Sequence, residues 1–233
     1  MRRSAKGFTL VEVTIILLVL VILSGILLPT IERFIDLARY VKAKEDTGMI
    51  AAIIELWKVD NCSRYFKQNG NAGSSSANRV DMIVSGGAIA TNSYGVAPPN
   101  GYWSEAIDPA APGDTTLVVD TMDNQLVTGV PFGNPANTYP RPSTLNPADC
   151  GFRGAYITGP VTSDPWGNRY MANVAFLGPV GTRNLGASTP PGFNQYDVFV
   201  LSAGADGIIM TPFLVDGVVA GGDDMVALVS GGF

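Results

Sequence analysis

At 233 residues the chain has room for one domain of ordinary size or a small pair, and only 15 % of its side chains are charged. It contains no histidine, which excludes Ser-His-Asp and Cys-His nucleophile sites, histidine-bound zinc and the commonest general base. Its 20 acidic and 15 basic residues give a net charge of −5, a poor match for the basic face that nucleic acid requires.

The chain opens on a short basic stretch, Arg2, Arg3 and Lys6, that ends at Gly7. An apolar run follows to Leu28, matching the roughly 20 residues needed to cross a bilayer, and its one ionised side chain is Glu12. A carboxylate in lipid costs on the order of a few kcal/mol, so it calls for a partner. A secretory signal would place a small-residue cleavage site after the run, but Pro29-Thr30-Ile31-Glu32-Arg33-Phe34 offers none. A plain signal anchor is the alternative, and it leaves Glu12 unexplained. The segment Lys6-Gly7-Phe8-Thr9-Leu10-Val11-Glu12-Val13 resembles the class III signal of type IV pilins and type II secretion pseudopilins. That resemblance implies a leader, residues 1–7, cut by a prepilin peptidase between Gly7 and Phe8. It implies methylation of Phe8 at the new N-terminus and retention of residues 8–28 as a membrane span. The new amine and Glu12 would then pair, within one chain or between neighbouring subunits, which gives Glu12 a role in assembly. Basic residues before the span stay cytoplasmic. The expected location is therefore a bacterial inner membrane, single-pass, with the C-terminal bulk in the periplasm or exterior, and later a filament.

The apolar run continues as an amphipathic pattern. Ile31, Phe34, Ile35, Ala38 and Val41 recur at helical spacing, and Met49, Ile50, Ile53, Ile54 and Trp57 extend the stripe. One helix over 8–60 is predicted, with Pro29 kinking it or breaking its hydrogen bonding and Gly48 as a second weak point. The Met49–Trp57 face is expected to carry a sheet.

Residues 61–150 read as a loop-rich insert. Asn69-Gly70-Asn71-Ala72-Gly73-Ser74-Ser75-Ser76 is a flexible connector by composition. Val80-Asp81-Met82-Ile83-Val84 reads as a short strand, and 115–119 with 125–130 read as a hairpin around Asp123-Asn124. Proline loops at 96–99 and 139–142 surround them.

Residues 151–233 read as an antiparallel sheet that, with 30–150, completes one exported globular domain. Asp164-Pro165-Trp166-Gly167 is a turn, with Trp166 expected as a core plug. A strand-like run to Leu177, a loop at 178–192 and a strand at 196–202 follow. The Asp-Pro-Trp-Gly-Asn-x-Tyr element and the Ser202…Gly204-Ala205-Asp206-Gly207 element resemble the major pseudopilin of type II secretion. The resemblance covers about the first 60 residues and roughly 155–224, with the middle unmatched. In that family the loop after the last long strand binds calcium, which implies Asp206, Asp223 and Asp224 as ligands. This chain departs from the pattern by inserting an apolar stretch, 208–214 with 218–219, that looks like an extra hairpin. Plain acidic turns at Asp206-Gly207 and Asp216-Gly217 are the alternative.

Cys62 and Cys150 both lie on the expected exported side, where an even count favours a disulfide; two buried free thiols are the alternative. No phosphate-cradling motif is present, because Gly204-Ala205-Asp206-Gly207 lacks the P-loop lysine. An enzyme is not expected, a scattered two-carboxylate hydrolase being the class that composition leaves open. The implied fold is α+β and pilin-like: a long N-terminal helix, membrane-spanning in its first half, packed on a C-terminal antiparallel sheet. The implied function is that of a filament subunit, first a type II secretion pseudopilus shaft, second a type IV pilin of a surface fibre. A membrane-anchored enzyme or binding module is the alternative from another class. The implied partners are further copies of the chain, the prepilin peptidase, an inner-membrane assembly platform, minor pilins or pseudopilins, and lipid before assembly; nucleic acid is not among them.

Overall fold

The computed structural model describes residues 7–62, 65–72, 78–92, 103, 118–142, 149–177, 197–213, 215 and 217–229. The expectations for residues 1–6, 73–76, 96–99 and 178–192, and for Tyr196 and Asp216, lie outside these. Contacts divide the chain into two units, Met1–Val41 and Lys42–Phe233.

A single helix, α1, spans Leu10–Asp60 and crosses both units. Apolar side chains dominate its first half, and it runs through Pro29. Proline there removes one backbone bond, the one to Gly25 four residues back, and the helix continues on both sides. At the far end Asn61 and Cys62 donate to the carbonyls of Trp57 (3.0 Å) and Val59 (3.2 Å). Cys62 then turns left-handed at φ 46°, and the Asp60 carbonyl accepts the amide of Gly151 at 2.9 Å.

Within the second unit, α1 buries Ala43, Thr47, Ile50, Ala51, Ile54 and Trp57. Steps of three and four residues place these on one face. Met49, expected on that face, is exposed, because Ala51 occupies the inward position beside Ile50.

Facing them is a five-stranded sheet. Its strands are β1 (Met82–Val84), β3 (Val119–Thr121), β4 (Met171–Ala172), β5 (Phe199–Ser202) and β7 (Met225–Leu228), in the order β3-β1-β4-β5-β7. A small pair, β2 (Thr91–Asn92) with β6 (Ile208–Ile209), lies outside it. The sheet is mixed, which corrects the antiparallel expectation: β1 and β3 run parallel, with Met82 opposite Val119, while the β1–β4, β4–β5 and β5–β7 pairs are antiparallel. Nor is it confined to 151–233, since β1 and β3 come from the 61–150 stretch. Three-residue strands are too short to reveal their direction: Met-Ile-Val in β1 is buried on both faces, and in β3 only Asp120 is buried.

Three local readings are also corrected. The hairpin at 115–130 is absent from the described residues: β3 is followed by a π-helical turn, Asp123–Thr128, closed by Gly129 at φ 68°. The cause is the Asp120 carboxylate, which draws in Asn124 Nδ2 and Gln125 Nε2, each at 2.6 Å. The strand towards Leu177 stops at Ala172, and Val174–Phe176 forms a 3-10 turn. The 208–219 hairpin is replaced by the parallel pairing of Ile208 with Thr91. Asp224 Oδ2 takes the amides of Met210 (2.8 Å) and Thr211 (2.7 Å) and so turns the chain away.

The core joins Ile50, Ala51, Ile54 and Trp57 of α1 to β1, β4 and β5. Trp57 stacks on Phe66 at 3.9 Å and meets Tyr139 edge-on at 5.4 Å. Trp103 is fully buried between Phe199 and Phe213, and its Nε1 donates to the Thr211 carbonyl at 2.9 Å.

The two C-terminal motifs interlock. Asp164 Oδ1 accepts the amides of Trp166 (3.0 Å) and Asn168 (2.8 Å), which shapes the turn, while Oδ2 accepts Ser202 Oγ at 2.7 Å. The turn is therefore held by a buried carboxylate, and Trp166, expected as a core plug, is only half-buried. Tyr170, which ends the same motif, reaches α1 and donates to Asp46 Oδ2 at 2.9 Å.

Candidate functional site

The start of α1 is built as a capping box. Thr9 N and Thr9 Oγ1 each donate to Glu12 Oε2 at 2.8 Å, and Glu12 N donates back to Thr9 Oγ1 at 3.3 Å. A threonine at the cap with a glutamate three residues on satisfies two orphan amides reciprocally. It also sets a negative charge at the positive end of the helix dipole. Gly7 and Phe8 precede the helix and are exposed. The Thr9 contribution is beyond the expectations set out above, and its sequence signature is Thr-x-x-Glu before an apolar run.

From residue 7 to residue 42 every position is exposed. Leu10, Val21 and Ile26, for example, are 80 %, 69 % and 65 % exposed. Two hydroxyls of the apolar run are satisfied within the helix: Thr14 Oγ1 donates to the Val11 carbonyl and Ser24 Oγ to that of Leu20, both at 2.8 Å. Such back-bonding satisfies these two hydroxyls without a partner outside the helix. The helix is long and apolar enough to cross a membrane.

At the other end of α1, Cys62 and Cys150 form a disulfide with Cα atoms 5.4 Å apart. It closes a sequence separation of 88 residues, and Arg153 Nε pairs with Asp60 Oδ1 at 3.2 Å beside it.

The three candidate calcium ligands occupy the 203–224 loop without gathering at one point. Asp206 is exposed, and its Oδ1 accepts the Ile208 amide at 2.7 Å in a local turn. Asp223 Oδ2 accepts the amides of Ala205 (2.6 Å) and Asp206 (3.2 Å). Asp224 is buried, with Oδ2 also accepting Thr211 Oγ1 at 2.7 Å. Burial pushes its carboxyl up, the Thr211 hydroxyl and the Met210 and Thr211 amides hold it down, and neighbouring Asp223 adds to the rise. Asp223 Oδ1 and Asp224 Oδ1 are buried with no hydrogen-bond partner. Among the described residues, no group of three or more carboxylate or cysteine side chains forms a metal cluster.

No family model matches the chain, and no solved structure matches it. It is similar to the type II secretion system core protein G of Pseudomonas aeruginosa, at 35 % identity over 69 residues. That match covers 30 % of this chain and 49 % of the relative, so the chain spans about half the length of the curated relative it matches.

Proposed function

We propose that this chain is a structural subunit of a pilin-like filament, the shaft of a type II secretion pseudopilus, assembled by packing N-terminal helices. One observation carries the proposal: a helix with a capped, acid-bearing start whose residues 10–42 are all exposed among the described residues. Apolar surface of that extent calls for lipid or for other copies of itself. Similarity to a secretion core protein supports the same reading. The proposal includes cutting by a prepilin peptidase between Gly7 and Phe8 and methylation of Phe8. It also includes storage in the inner membrane and transfer by an assembly platform, with minor pilins or pseudopilins, onto the growing filament. Exchanging lipid contacts for neighbouring helices keeps the apolar surface covered at little cost in hydrophobic free energy. Mass spectrometry of assembled material should show Phe8 as a methylated N-terminus; an intact leader in filaments would overturn the proposal.

A surface fibre of the type IV pilin kind is the second reading, favoured by the disulfide that closes the 62–150 region. Long fibres at the cell surface would select it over a secretion shaft. A catalytic activity retained after removal of the anchor would select the anchored-enzyme alternative.

Calcium in the 201–224 loop is proposed on the two buried, unpartnered oxygens of Asp223 and Asp224. An ion there would supply the partners those oxygens lack and lower the cost of burying charge. Excess chelator should then lower the melting temperature, and Asp224→Asn should abolish that response. An unchanged melting curve would leave the three carboxylates as loop clamps for backbone amides.

A further inference from the structure

In the loop after β3, Pro131-Phe132-Gly133-Asn134-Pro135, the backbone of Phe132 is left-handed at φ 56°, ψ 18°, and Gly133 follows at φ 65°. Two successive positive φ values favour Asn-Gly or Gly-Gly, and a bulky aromatic is among the residues least suited to the first position. The backbone conformation itself has a cause: Asp120 Oδ2 accepts the Phe132 amide at 3.0 Å. Any residue except proline supplies that amide, so the bond does not explain the ring. Packing accounts for only part of it, since Phe132 is 44 % exposed. Strain kept in place by its surroundings, at a residue that leaves 44 % of its surface open, motivates a functional reading.

The ring stands on a rigid support. Asp120 is buried and also accepts from Thr121 N, Asn124 and Gln125, and Gln125 Oε1 accepts Tyr139 OH at 2.8 Å. Asn134 Oδ1 accepts the Ala136 amide at 3.1 Å, and Gly70 N donates to the Asn137 carbonyl at 2.8 Å. An aromatic held on such a base loses little entropy on docking.

Charge points to the occupant. Residues 124–140 contain no charged side chain, whereas Lys42–Phe233 carries 10 basic and 17 acidic residues, a net −7. Like-charged bodies repel, so two copies approach at least cost where charge is missing, while a basic partner would be drawn to the acidic faces. We infer that Phe132 is the anchor of a contact between the globular body of this chain and a second copy of it, an inference that rests on the filament reading for the assembly in which the contact is used.

The test uses the full chain carrying a photo-crosslinking amino acid at exposed Ala136, in cells and after extraction into detergent. The expected product is a chain-to-chain adduct of twice the subunit mass. Phe132→Gly should reduce it about tenfold, the scale of losing a central aromatic anchor. The same substitution should leave the melting temperature unchanged or raise it, because glycine accepts positive φ freely. An adduct that survives Phe132→Gly, one formed with another protein or a saccharide, or a lowered melting temperature would each overturn the contact. Filaments without the adduct overturn the contact alone. An adduct in detergent with no filaments from the unmodified chain supports the contact and overturns the filament reading.

Discussion

Residues 10–41 and 42–60 belong to one helix, yet they meet their needs in different ways. In the first stretch every side chain is exposed, and each hydrogen bond described here is local, from Thr9 to Glu12 or from a hydroxyl to the turn behind it. In the second, Ile50, Ile54 and Trp57 disappear into a core shared with the sheet, and Asp46 accepts from Tyr170, 124 residues away. A helix whose partners are in the chain has a sequence that reports fold. A stretch exposed throughout has a sequence that, on the filament reading proposed above, reports assembly. Substitutions in the two stretches should therefore fail in different assays.

The largest expected effect is at Glu12. Glu12→Val removes the only acid of the apolar run; Thr9 still caps the helix through its hydroxyl, and position 12 is exposed. Filaments should be lost altogether, while leader cleavage, membrane insertion and the melting of the body stay as they were. Electron microscopy of cells and a thermal scan of the extracted chain check both halves of that statement. Normal filaments would break the comparison, because the charge would then be serving the monomer through its capping box.

Trp57→Ala is the mirror experiment. The side chain is fully buried and touches Phe66 and Tyr139, so its removal should cost about 3–5 kcal/mol of the body's stability. Membrane insertion and processing of the N-terminal segment should be untouched, as membrane fractionation would show. Next in size is the disulfide. Cys62→Ser with Cys150→Ser should cost roughly 2–4 kcal/mol, since the bond closes a long loop in the unfolded chain. Denaturant unfolding with and without reductant measures it, and an unchanged midpoint would place the stabilisation in the Asp60–Arg153 and Asp60–Gly151 contacts instead.

The sequence yields these two stretches unequally. The helix, its extent and its lone acid are legible because length and a 3.6-residue period add up over 51 residues. The cysteine pair follows from parity and compartment. The sheet is hard to read because its strands are two to four residues long, too short for alternation to declare a face or a direction. The Asp120 network is invisible for another reason: it joins Lys67, Asn124, Gln125, Phe132 and Tyr139 through a carboxylate whose neighbours in sequence suggest only a turn. Trp103 is similar, fixed by Phe199, Thr211 and Phe213 from about a hundred residues away. The Thr9 cap is legible too, because Thr-x-x-Glu ahead of an apolar run spells a capping box.

The smallest expected effect lies near the join. Gly48 is in the interior of α1, exposed, and a methyl group added there would meet nothing within 4 Å. A glycine in that position costs about 0.5–1 kcal/mol relative to alanine, mostly through the freedom it gives the unfolded chain. Gly48→Ala should thus stabilise the body by that amount, seen as a modest rise in melting temperature. Its neighbours along the outer face, Met49, Leu56 and Val59, are 48 %, 52 % and 71 % exposed, so the face is apolar without being covered. If assembly also proceeds normally, Gly48 is simply a tolerated weakness in the half of the helix that reports fold. If stability rises while filaments fail, the boundary between the two behaviours lies beyond Val41, and the outer face of 48–59 belongs with the stretch proposed to pack against other copies.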